Sequence, residues 1–251
     1  LTTHRFYIKE KQRNSTSVFL EGEEHHHLSH VARIKPGEQV WLFDDFGIQY
    51  RACVEEIEQE KTRLVILETV QEQPTGVRIT LAQVLLKPKK MDLVIQKATE
   101  LGTDDIVPVT SDRTIINIEG KQEKKMERWK RIAIEASKQS GRSSVPKILP
   151  PVSLKTYIQE EGEGRKFFLS ERGGEAFRDI LMSPLIENTD TPQFVTLLVG
   201  PEGGWTEIEE QDIMDNQYEA VSLGSLTLRS ETAAIVGLAL VAHFWKNKNV
   251  S

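Results

Sequence analysis

Two rhythms of apolar and polar positions divide the chain. Up to about residue 72 the apolar residues come in short, roughly alternating runs: "QVWLFD", "IQYRACVEEI" and "TRLVILETV". Alternation puts every second side chain on one face, which is strand behaviour, and turn material such as Asp44-Asp45-Phe46-Gly47 separates the runs. Short strands at this spacing predict a small barrel over residues 1–72. "EQPTG", Glu72 to Gly76, is the linker candidate, because Pro and Gly break helix and strand alike.

From residue 73 to 251 the rhythm changes. "VRITLAQVLLK" reads as a buried strand. "KMDLVIQKATELG" then sets Met91, Val94, Ile95, Ala98 and Leu101 on one helical stripe, with Gly102 as the stop. "DDIVPVT" predicts a strand, and "KKMERWKRIAIEASKQSG" a helix carrying Met126, Trp129, Ile132 and Ala133 on one side. "KFFLSE", "FVTLLVG" and "EAVSLG" predict further strands, with helices near 175–182, 207–215 and 230–246. Strands alternating with helices imply an α/β domain with a largely parallel sheet, which binds ligands beyond the carboxyl ends of its strands.

The unusual sequences lie at those ends. In "LLVGPEGGWTEIE" a buried strand runs into Gly-Pro-Glu-Gly-Gly, and Thr206 with Glu209 forms a capping box for the next helix. In "VSLGSLTLRSETAAIVGLALVAHF" a strand again meets a glycine, Gly224, then a loop and a helix, with Ser230 the expected N-cap and Glu231 in the first turn. "LSERGGEAF" repeats the theme at Gly173 and Gly174. One such loop is equally a plain strand-to-helix turn. Three after strands of one sheet can build a slot of backbone groups around a flat heterocycle. Neither G-x-x-x-x-G-K-[ST] nor G-x-G-x-x-G is present, so a nucleoside triphosphate or a Rossmann dinucleotide is unsupported.

Composition narrows the partner. The net charge of −6 averages a net of −4 over residues 1–75, +6 over 76–150 and −8 over 151–251. A basic middle fits a localised phosphate-facing surface, or simply the solvated face of the "KQEKKMERWKR" helix. Cys53 is the single cysteine, which excludes an internal disulfide and points to a reducing cytoplasm. No apolar run approaches the roughly 18 residues that span a bilayer. The first residues lack the apolar core of a secretory signal. Among His25, His26, His27 and His30, positions 26 and 30 stand four apart, as helical metal ligands do, but no cysteine lies nearby. Packing or RNA contact is the preferred reading of that cluster.

"LLVGPEGGWTEIE" together with "SLGSLTLRSETAA" resembles the SPOUT superfamily of S-adenosylmethionine (SAM)-dependent RNA methyltransferases. More narrowly, "HRFYI", "HHLSHVARIKPGEQVWLFDDFG", "KATELG" and "ASKQSGR" make the whole chain similar to the ribosomal RNA small subunit methyltransferase E family, which methylates N3 of a uridine in 16S rRNA. Lys138 departs from the pattern, since an acid is expected there. The resemblance implies a trefoil-knotted α/β domain behind a PUA-like RNA-docking barrel. It also implies a homodimer, a cofactor pocket near the subunit interface, and 16S rRNA or the small ribosomal subunit as partner.

For the cofactor it implies Leu198, Val199, Gly200, Gly203 and Gly204 in one loop and Leu223, Gly224, Leu228 and Arg229 in another, with Thr232 and Ala233 completing the slot. Uridine N3 must lose a proton before it attacks, so the site needs a base or groups that stabilise the anion on O2 and O4. Arg229, Glu202 and Glu231 are the catalytic candidates. Each has a structural alternative, Arg229 and Glu231 as a helix-start ion pair and Glu202 as a partner of the helix after Trp205. Arg5, Lys87, Lys89, Lys90, Arg113 and Arg142 are the candidate RNA contacts, each otherwise a solvated cation. Gln139, Ser140 and Arg142 around Gly141 read as a helix C-cap or as a pocket wall. In-line methyl transfer needs no metal. The rival readings are a superfamily enzyme acting on a ribose 2′-oxygen or a guanine, and a non-catalytic RNA-binding assembly factor. A hydrolase is disfavoured, for no G-x-S-x-G elbow is present.

Overall fold

A computed structural model describes residues 4–71, 76–116, 120–160, 162–182 and 192–246. The chain divides into two compact units, one of Leu1–Pro74 with Ile134–Val145, the other of Thr75–Ala133 with Pro146–Ser251. The proposed linker lies largely outside the described residues, at positions 72–75.

The first unit is a curled five-stranded sheet made of β1 (Arg5–Tyr7), β2 (Ser17–Glu21), β3 (Gln39–Phe43), β4 (Ile48–Ile57) and β5 (Lys61–Gln71). Its order is β1-β3-β4-β5-β2, with β1 parallel to β3 and the other pairs antiparallel. Among the described residues no ladder joins the outer strands β1 and β2. The β3–β4 turn forms where Asp44 Oδ1 accepts from the amides of Phe46 (2.9 Å) and Ile48 (3.1 Å). Gly47 there sits at φ +77°, a conformation that costs glycine little. Phe6, Ile8, Val18, Leu20, Leu42, Tyr50, Val54 and Leu64 fill the concave face.

Periodicity did not reveal α1 (Gly22–His26) and the π-helical turn His27–Val31 that continues it. Only His25 and Leu28 are buried in this histidine-rich stretch, so no apolar stripe announces a helix. Leu28 plugs the core, and buried His25 bonds through Nδ1 to Thr62 Oγ1 at 2.8 Å. His26 and His30 stack with ring centroids 4.8 Å apart.

The second unit contains β6 (Arg78–Val84), α2 (Pro88–Glu100), β7 (Asp105–Thr110), the start of α3 (Gln122–Ser140), β8 (Lys147–Ile148), β9 (Val152–Ser153), α4 (Leu154–Gln159) and β10 (Arg165–Leu169). It continues through β11 (Glu175–Ala176), α5 (Phe177–Leu181), β12 (Phe194–Val199), α6 (Glu207–Asp215), β13 (Glu219–Ser222) and α7 (Ser230–Val241). The strands form one parallel sheet, ordered β11-β13-β10-β12-β6-β7-β8, with β9 also on β7. The central β6 and β12 are apolar and buried through most of their length, as strands covered on both faces must be.

The expected stripe of α2 is present, with Met91, Val94, Ile95 and Ala98 buried. Helix α7 packs on α2, β12 and β6. Gly237 permits that approach, because a Cβ there would come within 2.8 Å of Leu197 Cδ2.

Candidate cofactor site

Strands β13, β10 and β12 are neighbours running the same way, so the loops at their carboxyl ends emerge side by side. They enclose a cleft lined by Leu169, Ser170 and Glu171 after β10, Val199 to Glu202 with Gly204 and Trp205 after β12, and Val221 to Leu228 after β13. Ser230 and Ala233 of α7 close it.

The glycine loop is shaped from three directions. Trp205, 4% exposed, donates its indole N–H to Leu169 O at 3.0 Å and lies flush on Gly200. A Cβ on Gly200 would stand 2.9 Å from the Trp205 ring, so only glycine fits. Gly204 turns at φ +68° and donates its amide to Pro201 O at 3.1 Å. Arg113 Nη1 donates to Gly203 O at 2.6 Å and to Trp205 O at 3.2 Å, fastening the loop from outside.

Beyond the loop, the expected capping box opens α6: Thr206 Oγ1 accepts from Glu209 N (3.1 Å) and Glu209 Oε2 from Thr206 N (2.8 Å). The other oxygen of that buried carboxylate accepts from Asp112 N at 2.9 Å.

Ser230 does not cap α7. It is the first helical residue, and Arg229 occupies the cap position without a side-chain cap bond. The Ser230 hydroxyl is committed elsewhere, donating to Gly200 O at 2.5 Å and accepting from Gln83 Nε2 at 3.1 Å. Gln83 belongs to the end of β6, in register with Val199. One hydroxyl thus ties together β6, the glycine loop and α7.

A charged cluster stands beside the cleft. Lys90 Nζ lies 2.6 Å from Glu202 Oε1 and 3.2 Å from Glu231 Oε1. The hydrogen bond to Glu202 is the main reason the ammonium is held above its ordinary range. Glu231 is 7% exposed, and its second oxygen, Oε2, is buried with no partner among the described residues.

The match to known proteins follows this geometry. An RNA methyltransferase domain model fits residues 71–242, and an RNA methyltransferase PUA domain model fits 20–67. Ribosomal RNA small subunit methyltransferase E of Aquifex aeolicus is 33% identical over 96% of this chain and 100% of its own length. The chain belongs to the ribosomal RNA small subunit methyltransferase E family.

Members of this family extend the likeness to three dimensions. The Bacillus subtilis protein of that name is 26% identical over 95% of this chain and 96% of its own. The Neisseria gonorrhoeae protein of that name, solved bound to S-adenosyl methionine, superposes with TM-score 0.85 at 32% identity, covering 97% of this chain and 98% of that one. A Legionella pneumophila structure with bound cofactor SAM gives TM-score 0.85 at 30% identity over the same shares. The family fold is the expected one, an α/β methyltransferase domain with a PUA-like unit before it.

Of the residues expected to hold the cofactor, Val199, Gly200, Gly204, Leu223, Gly224, Leu228 and Ala233 line the cleft. Leu198 is fully buried in the core instead, pointing to the opposite side of its strand from its neighbours. Gly203 faces Arg113, and Thr232 and Arg229 are exposed outside the lining. Sequence reasoning missed Trp205, Ser230 and Gln83 as the framework of the slot. A polar Gln83, fully buried at the end of the otherwise apolar run of β6, was the available signal for the last.

The catalytic candidates separate. Arg229 forms no ion pair with Glu231 and projects to solvent, whereas Glu202 and Glu231 share Lys90. The RNA candidates separate too. Lys87 and Lys89 are exposed, Lys90 is engaged by the two carboxylates, and Arg113 is the loop clamp. In the first unit Arg5 Nη2 donates to Gln49 Oε1 (2.7 Å) and to Arg142 O (2.8 Å). Gly141 at φ +78° and the Arg142 N to Ser137 O bond, 3.1 Å, mark "KQSGR" as a helix C-cap.

Proposed function

We propose that this chain methylates N3 of a uridine in 16S rRNA, using SAM held in the cleft between the β10, β12 and β13 loops. The observation that carries the reading is Gly200, whose missing Cβ leaves backbone exposed between Trp205 and the cleft. A full-length relative bound to S-adenosyl methionine supports it. When bound, SAM supplies a methyl group on a sulfonium.

The chain's own residues bind and orient. Backbone groups of the Val199–Gly200 and Leu223–Gly224 stretches and the side chains of Leu228 and Ala233 hold the flat heterocycle. Gly203, Thr232 and Leu198 act from behind that surface. Glu202 or Glu231 accepts the proton from uridine N3, and exposed Arg229 stabilises charge developing on the base oxygens.

Arg5, in residues 1–72, and Lys87, Lys89 and Arg142, in residues 73–251, contact RNA phosphates; the first segment docks substrate and the second also carries the chemistry. The same reading takes the reaction to be cytoplasmic, because its substrate is ribosomal RNA. A homodimer is part of the same reading, supported by the half-buried apolar residues Ile235, Val236, Ala239 and Leu240 of α7.

The test supplies small-subunit RNA, naked or assembled, with methyl-labelled SAM, then digests and analyses the nucleosides by mass spectrometry. Labelled N3-methyluridine supports the reading. Label on a ribose oxygen or a guanine, or none on either substrate, overturns it.

A further inference from the structure

The charged side chains that line the cleft are Glu171 and Glu202, and no cation is among them. Lys90 stands behind Glu202 and is shared with Glu231, while Arg229, between the lining residues Leu228 and Ser230, is exposed. Lys90, Glu202 and Glu231 therefore sum to one net negative charge beside the cleft. The two acids of the lining differ in kind. Both residues are exposed as wholes, but Glu171 has no ion pair among the described residues, so water and salt screen it and its side chain is not anchored. The Glu202 side chain is only 25% exposed and is pinned at 2.6 Å by Lys90. The buried, unpartnered Oε2 of Glu231 adds a second negative centre with little water to screen it. A fixed charge in a partly dehydrated site acts on a ligand's charge more strongly than a mobile, solvated one.

We propose that the Lys90-held Glu202–Glu231 pair lets the cleft tell the charged cofactor from the spent one. This inference rests on the SAM reading above. SAM carries a sulfonium. Loss of its methyl leaves S-adenosylhomocysteine (SAH), a neutral thioether with the same adenine, ribose, carboxylate and amine. The two ligands differ by one methyl group and one positive charge, so a net-negative cluster favours SAM and weakens on transfer, promoting product exchange. Lys90 is a positioning residue here: it keeps two carboxylates together that would otherwise repel, and leaves one of their charges uncompensated.

The readout is the ratio of SAH to SAM dissociation constants by calorimetry, on the full chain, for the wild type, Glu202→Gln and Glu171→Gln. Removing one fixed charge from a half-buried site is expected to lower the ratio about three- to tenfold in Glu202→Gln, mostly through weaker SAM binding. Glu171→Gln is expected to leave the ratio within about twofold. An unchanged ratio in Glu202→Gln, or a larger change in Glu171→Gln, overturns the proposal. Retained SAH binding verifies that a variant is folded.

A second arm needs no variant. An analogue with nitrogen in place of sulfur is cationic when protonated and neutral when not. Its affinity for the wild type is expected to fall towards that of SAH as pH rises through the amine's pKa, and a flat profile overturns the idea. If the wild type binds neither SAM nor SAH, the cofactor reading fails. If it binds both and the ratio never moves, only this inference does.

Discussion

The hydroxyl of Ser230 lies 2.5 Å from the carbonyl oxygen of Gly200, thirty residues earlier in the chain. Because Gln83 donates to the same hydroxyl, the bond joins a central strand, the glycine loop and the buried helix. Ser230→Ala removes the partner of the Gly200 carbonyl and of one N–H of the buried Gln83 amide, which keeps its bond to Val84 O at 2.9 Å, at a cost of about 1–3 kcal/mol. The expected result is a urea midpoint lowered by a corresponding amount, with SAM affinity reduced. A midpoint within error of the wild type would show that water replaces the hydroxyl.

The glycines of the loop are not equivalent. Gly200 has no room for a Cβ beside Trp205, while a Cβ on Gly203 meets Arg113 at ordinary distances, 3.5 Å from Cδ and 3.9 Å from Cβ. Gly200→Ala is expected to displace the indole, weaken SAM binding at least tenfold and cost about 1–3 kcal/mol from overpacking. Gly203→Ala is expected to change either quantity little. Paired calorimetry and denaturation on the two variants check this, and equal losses would contradict it.

Basic residues that look alike in sequence should respond differently to salt. Lys87 and Lys89 are exposed, so replacing both with Gln should cut the slope of log affinity against log salt for RNA by roughly 1.5, about 0.7–0.9 per phosphate lost. Arg113→Ala frees the carbonyls of Gly203 and Trp205 and should weaken SAM binding with little change in that slope. Filter binding across a salt series, beside calorimetry, separates the two.

Lys138, which stands where the family pattern leads one to expect an acid, has a side chain only 7% exposed. It reaches Glu24 Oε1 at 2.9 Å, Glu135 Oε1 at 3.0 Å and His27 Nδ1 at 3.1 Å. Burial, then the Lys138 ammonium, hold His27 below the ordinary imidazole value of 6.5, with Glu135 opposing. The neutral ring's contribution to stability is present above pH 6.5 and is lost as pH falls through the lower folded value. An NMR titration should place the His27 midpoint below 6.5, and Lys138→Met should move it upward. A downward move would show that the ammonium is not one of the causes.

The sequence by itself determined the elements whose patterns are local. The α2 stripe, the capping box at Thr206 and Glu209, the strands bounded by turn residues and the glycine loops after β12 and β13 depend on neighbours within a few positions and formed as read, whereas Gly173 and Gly174 lie outside the cleft lining. Its motifs also determined the family. Helix α1 and the turn that continues it were illegible because they are held by a histidine bond to Thr62 and one buried leucine rather than by a stripe.

Only the tertiary structure decided which functional residues meet. Leu198 and Val199 are adjacent in sequence, yet the pleat sends one into the core and the other to the cleft. Ser230 reads as a helix cap until Gly200 is brought against it, and Lys90 reads as a phosphate contact until Glu202 and Glu231 converge on it. A charge or hydroxyl takes its role from whatever desolvates or bonds it, and those partners lie tens to over a hundred residues away along the chain.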